Sequence, residues 1–138
     1  MNGTEELPLK NYKMPLKENQ IYILDDDESL LRSLKLLMVS YGFAVEVFSS
    51  AEEFFKAVPN SAPGCLILDI HLPGFNGWDT MQRLKETGSK LPVIVITGDK
   101  DDSFKEKALK AGAEGFLQKP FEDHYLLHMV NQVFNKTK

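Results

Sequence analysis

Asp25, Asp26 and Asp27, then Asp69, then Lys119 followed by Pro120 each stand directly after a short, mostly apolar run of the chain. Carboxylates gathered from such positions with little positive charge to balance them favour a hard divalent cation. Oxygen donors alone suit Mg²⁺ better than Zn²⁺, which takes Cys or His. A carboxylate beside such an ion can attack phosphorus. Asp69 is therefore the expected nucleophile, Lys119 the group that neutralises phosphoryl oxygens, and Thr97, after the run Val93 to Ile96, a hydroxyl donor. Each has a plainer role when taken singly: Asp27 or Glu28 caps a helix, Thr97 ends a strand and Lys119 is a solvated charge before a turn. Their shared position after different strands is what assigns them to one site.

That sharing requires the strands to be parallel neighbours. Ile21 to Leu24 is followed by Leu30, Leu34, Leu37 and Tyr41 at helical spacing, with Gly42 as the stop. Ala44 to Phe48 is apolar apart from Glu46, as an edge strand is, and Ser50 to Glu53 has capping-box spacing ahead of Phe54, Phe55 and Val58. Cys65 to Leu68 and Val93 to Ile96 are continuously apolar, which suits central strands covered on both faces. Leu72 to Gly77 is loop chemistry before a helix carrying Trp78, Met81 and Leu84 on one side. Phe104, Ala108 and Ala111 mark a fourth helix ending near Gly112. Gly115 to Gln118 is a fifth short strand, and Leu126, Leu127, Val130, Val133 and Phe134 stripe a last helix. Right-handed crossovers then predict an α/β fold, a doubly wound, flavodoxin-like, five-stranded parallel sheet of order 2-1-3-4-5 with five helices. Ligands bind such sheets beyond the carboxyl ends of the strands, where the acids and the lysine fall.

The chain has 138 residues, enough for one domain with a sizeable core. Its 20 acids against 16 Lys and Arg give a net charge of -4 without a block of like charge, which argues against direct nucleic-acid binding. Cys65, the single cysteine, lies inside an apolar run and reads as a buried hydrophobe. No apolar stretch has signal-peptide or membrane-span length, so a cytoplasmic protein without membrane contact is expected. Residues 1–19 read as a loose N-terminal extension and 20–136 as the domain. With the chain ending at Lys138 no output domain is expected in it, whether it is free-standing or excised.

Asp25-Asp26, Asp69 followed by His71 to Gly77, Thr97-Gly98, Ala111-Gly112-Ala113 and Lys119-Pro120-Phe121 together resemble the signature of response-regulator receiver domains, over about Gln20 to Phe134. Tyr41 to Val45 and Lys110 to Ala113 are similar in wording to receivers that precede LuxR-type DNA-binding domains. The resemblance implies that Asp69 accepts a phosphoryl group from a phosphohistidine on a sensor histidine kinase or histidine phosphotransfer protein. It implies that Asp26 and Asp69 hold Mg²⁺, with Asp25 acting through a bound water and His71 through its backbone carbonyl. It also implies a lysine, Lys119, that pairs with the phosphorylated aspartate, a cis bond before Pro120, and a switch pair, Thr97 and Phe116. Phe116 stands where many relatives have Tyr, so the switch is expected to work by packing. Phosphorylation-dependent homodimerisation through the last strand and its flanking helices is a further implication.

Two other classes remain open on sequence: a phosphorylation-independent pseudo-receiver interaction module, and a phosphohydrolase similar to haloacid dehalogenases. In the latter Asp25 is the nucleophile and Glu122-Asp123 supply later metal ligands. His124 and His128, four apart on the last helix, lack an acidic or thiol partner in the pattern and read as a solvated face. Trp78 either meets a partner or covers the sheet edge. By the resemblance, His71 and Asp99, each two residues after a site residue, tune the life of the acyl phosphate. Replacing either is expected to change the dephosphorylation rate more than the phosphorylation yield; unchanged phosphate lifetimes in both variants would contradict this.

Overall fold

Side chains along a strand alternate between the two faces of a sheet, and here the two sets fill separate apolar layers. Residues 19–72 and 74–136 are described by the computed structural model. The expected N-terminal extension, apart from Asn19, and Pro73 of the loop after Asp69 lie outside the described residues. Five strands, β1 (Gln20–Leu24), β2 (Ala44–Phe48), β3 (Cys65–Asp69), β4 (Val93–Thr97) and β5 (Gly115–Gln118), alternate with helices α1 (Glu28–Ser40), α2 (Ala51–Ala57), α3 (Gly77–Glu86), α4 (Ser103–Lys110) and α5 (Asp123–Lys136). The sheet is parallel in the order β2-β1-β3-β4-β5, as the strand pattern predicts. Tyr22, Leu24, Leu66, Leu68, Val93 and Val95 face Phe54, Met81, Leu84 and Ala108 of α2, α3 and α4. Ile21, Ile23, Cys65, Ile67, Ile94 and Ile96 face Leu31, Leu34, Met38, Leu126, Val130 and Val133 of α1 and α5. Each Val, Leu, Ile, Phe or Met side chain removed from water contributes about 1.5–3 kcal/mol, which fixes both layers and hence the strand register.

The three strands with continuous apolar character, β1, β3 and β4, are the inner ones, and β2 is an edge whose Glu46 is its exposed position. Local details differ from the pattern in two places. The buried stripe of α1 is Leu31, Leu34 and Met38, one residue round from Leu30 and Leu37, and Tyr41 is 52% exposed. The helix has already ended there: Tyr41 is its C-cap, and Gly42 follows at φ +94°, a left-handed turn that favours glycine. At α2 the Ser50 side chain accepts from the Glu53 N–H, but the Glu53 carboxylate takes its return bonds from the N–H and hydroxyl of Ser49. A reciprocal capping box forms instead at α3, between Asn76 and Asp79.

That box starts α3 tightly against the end of β3. Gly77 donates its N–H to the Ile70 carbonyl at 3.0 Å. A Cβ on Gly77 would stand 2.5 Å from Ile70 Cα and 3.0 Å from the Asp69 carbonyl oxygen. Gly77→Ala is therefore expected to lower stability by about 1–3 kcal/mol, the cost of overpacking, measured as a shift of the denaturant midpoint. An unshifted midpoint would show that α3 can move away from Asp69 at no cost.

Candidate functional site

Register alone levels the carboxyl ends of the strands: Leu24 pairs with Leu68, Asp69 with Ile96, and Thr97 with Gln118. The residues just beyond, Asp25, Asp69, Thr97 and Lys119, thus meet along one edge. Asp25 is wholly buried. Its Oδ1 accepts from the Asp27 N–H at 2.9 Å and its Oδ2 from Lys119 Nζ at 2.8 Å. Asp69, 4% exposed, accepts from the His71 N–H through Oδ1 at 3.1 Å and turns Oδ2 toward Lys119 Nζ at 3.5 Å. Lys119 is placed there by its own N–H, which donates to the Thr97 carbonyl at 2.7 Å; the Lys119–Pro120 bond is cis, as expected.

Asp25, Asp26 and Asp69 each offer a carboxylate oxygen within 4.8 Å of the others, with Asp26 exposed to solvent. One ammonium does not balance them, and oxygen donors without thiol or imidazole side chains fit a hard cation such as Mg²⁺. Asp27, which the sequence reading leaves as a cap, is one: its side chain accepts from the Leu30 N–H. Burial pushes the Asp69 carboxyl above its ordinary value; the His71 N–H bond opposes this and the Asp25 charge reinforces it. Burial alone would lower the Lys119 ammonium, but the hydrogen bond and charge of Asp25, with Asp69, hold it above its usual value.

Thr97 is fully buried, and its hydroxyl oxygen accepts from the Asp99 N–H at 3.1 Å. Phe116, half-buried, packs against the α2–α4 layer. His71 and Asp99 lie side by side, Nε2 to Oδ2 at 3.5 Å. The sequence pattern does not show what lies on His71: Phe104, counted there as a helix marker, meets its ring in a tilted contact at 5.6 Å and also meets Trp78 at 6.1 Å. Contacts between elements far apart in sequence leave no periodic signal.

The remaining candidates fall elsewhere. Cys65 is buried, and burial pushes its thiol up to about 12, far from a nucleophile at neutral pH. His124 and His128 are exposed on α5, where His124 faces Glu122 at 3.6 Å. Glu122 and Asp123 are exposed and do not join the acidic cluster among the described residues, which removes the ligands that a dehalogenase-like hydrolase needs. Among these residues no helix is long and apolar enough to cross a membrane.

A five-stranded parallel sheet of this order, with an acidic edge and a lysine before a cis proline, defines a receiver-type signalling domain. Residues 21–131 match the response regulator receiver domain, and the chain belongs to that family, the receivers of two-component response regulators that are phosphorylated on an aspartate by histidine kinases. Over 107 residues it is 49% identical to the response regulator protein TodT of Pseudomonas putida, covering 78% of this chain and 47% of the relative. It is 36% identical over 121 residues to the transcriptional regulatory protein FixJ of Bradyrhizobium diazoefficiens, covering 88% and 59%. Among solved structures, the crystal structure of FixJ-N superposes with a TM-score of 0.78 at 34% identity, covering 84% of this chain and 93% of that one. The BeF3-activated DrrB receiver domain gives 0.75 at 30%, covering 85% and 97%. The chain spans about half the length of the first of these curated relatives, 47% of TodT.

Because the folded Asp69 carboxyl sits above its unfolded value, its contribution to stability is full below the unfolded value and is lost as pH rises through the folded one. Ionised Asp69 thus opposes folding at neutral pH without a metal. Asp69→Asn is expected to raise the melting temperature in chelator at pH 7, with the gain shrinking as pH falls into the carboxylate range. Lys119 has the same sign in the alkaline range: its contribution is present below the ordinary lysine value and lost as pH rises through the folded one. Lys119→Met should lower stability by on the order of 3 kcal/mol by stranding buried Asp25. Melting curves in which both variants shift the same way at pH 7 would contradict this charge balance.

Proposed function

We propose that Asp69 is the phosphoacceptor, taking a phosphoryl group from a phosphohistidine on a sensor histidine kinase or histidine phosphotransfer protein, in a Mg²⁺-dependent reaction, within a receiver unit of residues 20–136. The observation that carries this is Lys119 Nζ standing 2.8 Å from Asp25 and 3.5 Å from Asp69 at the edge of the sheet. In the transfer an Asp69 oxygen bonds to phosphorus as the P–N bond of the phosphohistidine breaks, and the departing imidazole takes a proton. Lys119, charged and directed at the acceptor, neutralises an incoming phosphoryl oxygen. Thr97 has a hydroxyl hydrogen to direct at another, since its oxygen serves as acceptor for the Asp99 N–H. Asp26, Asp69 and the His71 backbone carbonyl would hold Mg²⁺ directly. Asp25, whose oxygens already accept from Asp27 and Lys119, would act through a bound water. When bound, the ion supplies positive charge that offsets the phosphoryl oxygens and fixes their orientation.

Phosphorylation adds about -1.5 to -2 charge beside Lys119 and Thr97. A Thr97 hydroxyl drawn toward it takes the Asp99 backbone along, and the Phe116 ring follows by packing, because it has no hydroxyl to bond. The surface switched in this way spans α4, β5 and α5, where Leu109 is 48% and Tyr125 55% exposed. Homodimerisation across that face is the proposed output, and a phosphohistidine donor places the work in the cytoplasm. The domain catalyses nothing beyond its own phosphorylation and dephosphorylation.

Intact-mass measurement after incubation with a small phosphodonor tests the acceptor. One added phosphoryl group is expected with Mg²⁺, and none with chelator or with Asp69→Asn. No adduct on the folded wild-type protein under any condition would point to a phosphorylation-independent interaction module on the same fold.

A further inference from the structure

α4 buries fewer residues than any other described helix. It has one buried residue, Ala108, whereas α1 and α5 each bury three, and its first residue, Ser103, is capped by the Asp101 carboxylate. An element with so few buried contacts is the one that opens at least cost. Its first turns instead rest on rings presented from the acceptor side. Phe104 meets the His71 imidazole in a tilted contact at 5.6 Å and Trp78 in an edge-type contact at 6.1 Å, while Lys107 Nζ lies 4.4 Å above the Trp78 ring. Such contacts are individually weak. For a helix held this lightly, they decide where it sits.

His71 is also the residue whose backbone N–H binds Asp69 and whose side chain meets Asp99, the residue hydrogen-bonded to Thr97. The same imidazole therefore touches both the surroundings of the acceptor and the seat of α4. We propose that Phe104 is a positioning residue: by seating α4 on His71 it holds the imidazole against Asp99, over the loop that follows Asp69, so that the position of α4 and the lifetime of the phosphoryl group are coupled through this one ring. This rests on Asp69 being the acceptor. When α4 lifts, His71 is released, water reaches the acyl phosphate more freely, and the group is lost faster. The coupling runs both ways, so a partner that binds α4 in its lifted position shortens the signal, and one that holds it seated prolongs it.

A double-mutant cycle on phosphoryl decay tests the coupling, with intact mass and a thermal melt on every sample. Phe104→Leu, which keeps apolar bulk and removes the ring, should shorten the lifetime by roughly 2- to 30-fold. Phe104→Tyr, which keeps the ring, should restore it. In a His71→Ala background, Phe104→Leu should add nothing. An unchanged or longer lifetime in Phe104→Leu, or an equal shortening with His71 absent, overturns the coupling while the adduct on Asp69 still stands. Absence of any adduct on wild-type protein removes the acceptor reading and the coupling with it.

Discussion

The edge of the sheet holds together through one cation between two buried carboxylates. Asp25 has no exposed surface and Asp69 almost none, and a buried carboxylate without a partner costs several kcal/mol. Lys119 makes their juxtaposition tolerable, at 2.8 Å from one and 3.5 Å from the other. Everything that delivers Lys119 to that point is therefore under constraint. β5 must pair with β4, its chain must continue to the Thr97 carbonyl, and the chain must turn at Pro120 rather than run on.

The compensation is incomplete, and its incompleteness is what makes the edge a site. Asp26 adds a third carboxylate to the cluster without adding a cation. Asp69 stays harder to ionise than an ordinary aspartate because burial outweighs its bond from His71. A site balanced in this way has room for further positive charge and, with it, for a phosphoryl group. The neighbours of Asp69 also link the edge to the helices: Thr97 ends the inner strand β4, and the loop that leaves it runs through Asp99 to α4.

Most of this was legible in the chain because it depends on periods and punctuation. Continuous apolar runs marked β1, β3 and β4 as inner strands, Glu46 marked the edge, and the acids and the lysine stood at strand ends, where register levels them. What was not legible depends on angle and on contact between elements. The buried stripe of α1 falls one residue round from the pattern, since Tyr41 leaves the helix before it can extend the row. The Asn76–Asp79 box carried a readable spacing that loop chemistry obscured. That Lys119 lies nearer Asp25 than Asp69, and that Phe104 meets the His71 ring, are facts of three-dimensional placement for which one sequence holds no signal.

The function of this edge turns on which carboxylate carries the phosphoryl group. Borohydride reduction of the freshly phosphorylated protein converts an acyl-phosphorylated aspartate to homoserine, and peptide mass mapping then locates it. Homoserine at Asp69 alone is the predicted result. Homoserine at Asp25 would contradict the account and return the site to hydrolase-like chemistry on the first strand, and homoserine at neither position, with every aspartate recovered intact, would leave the edge of the sheet without an acceptor.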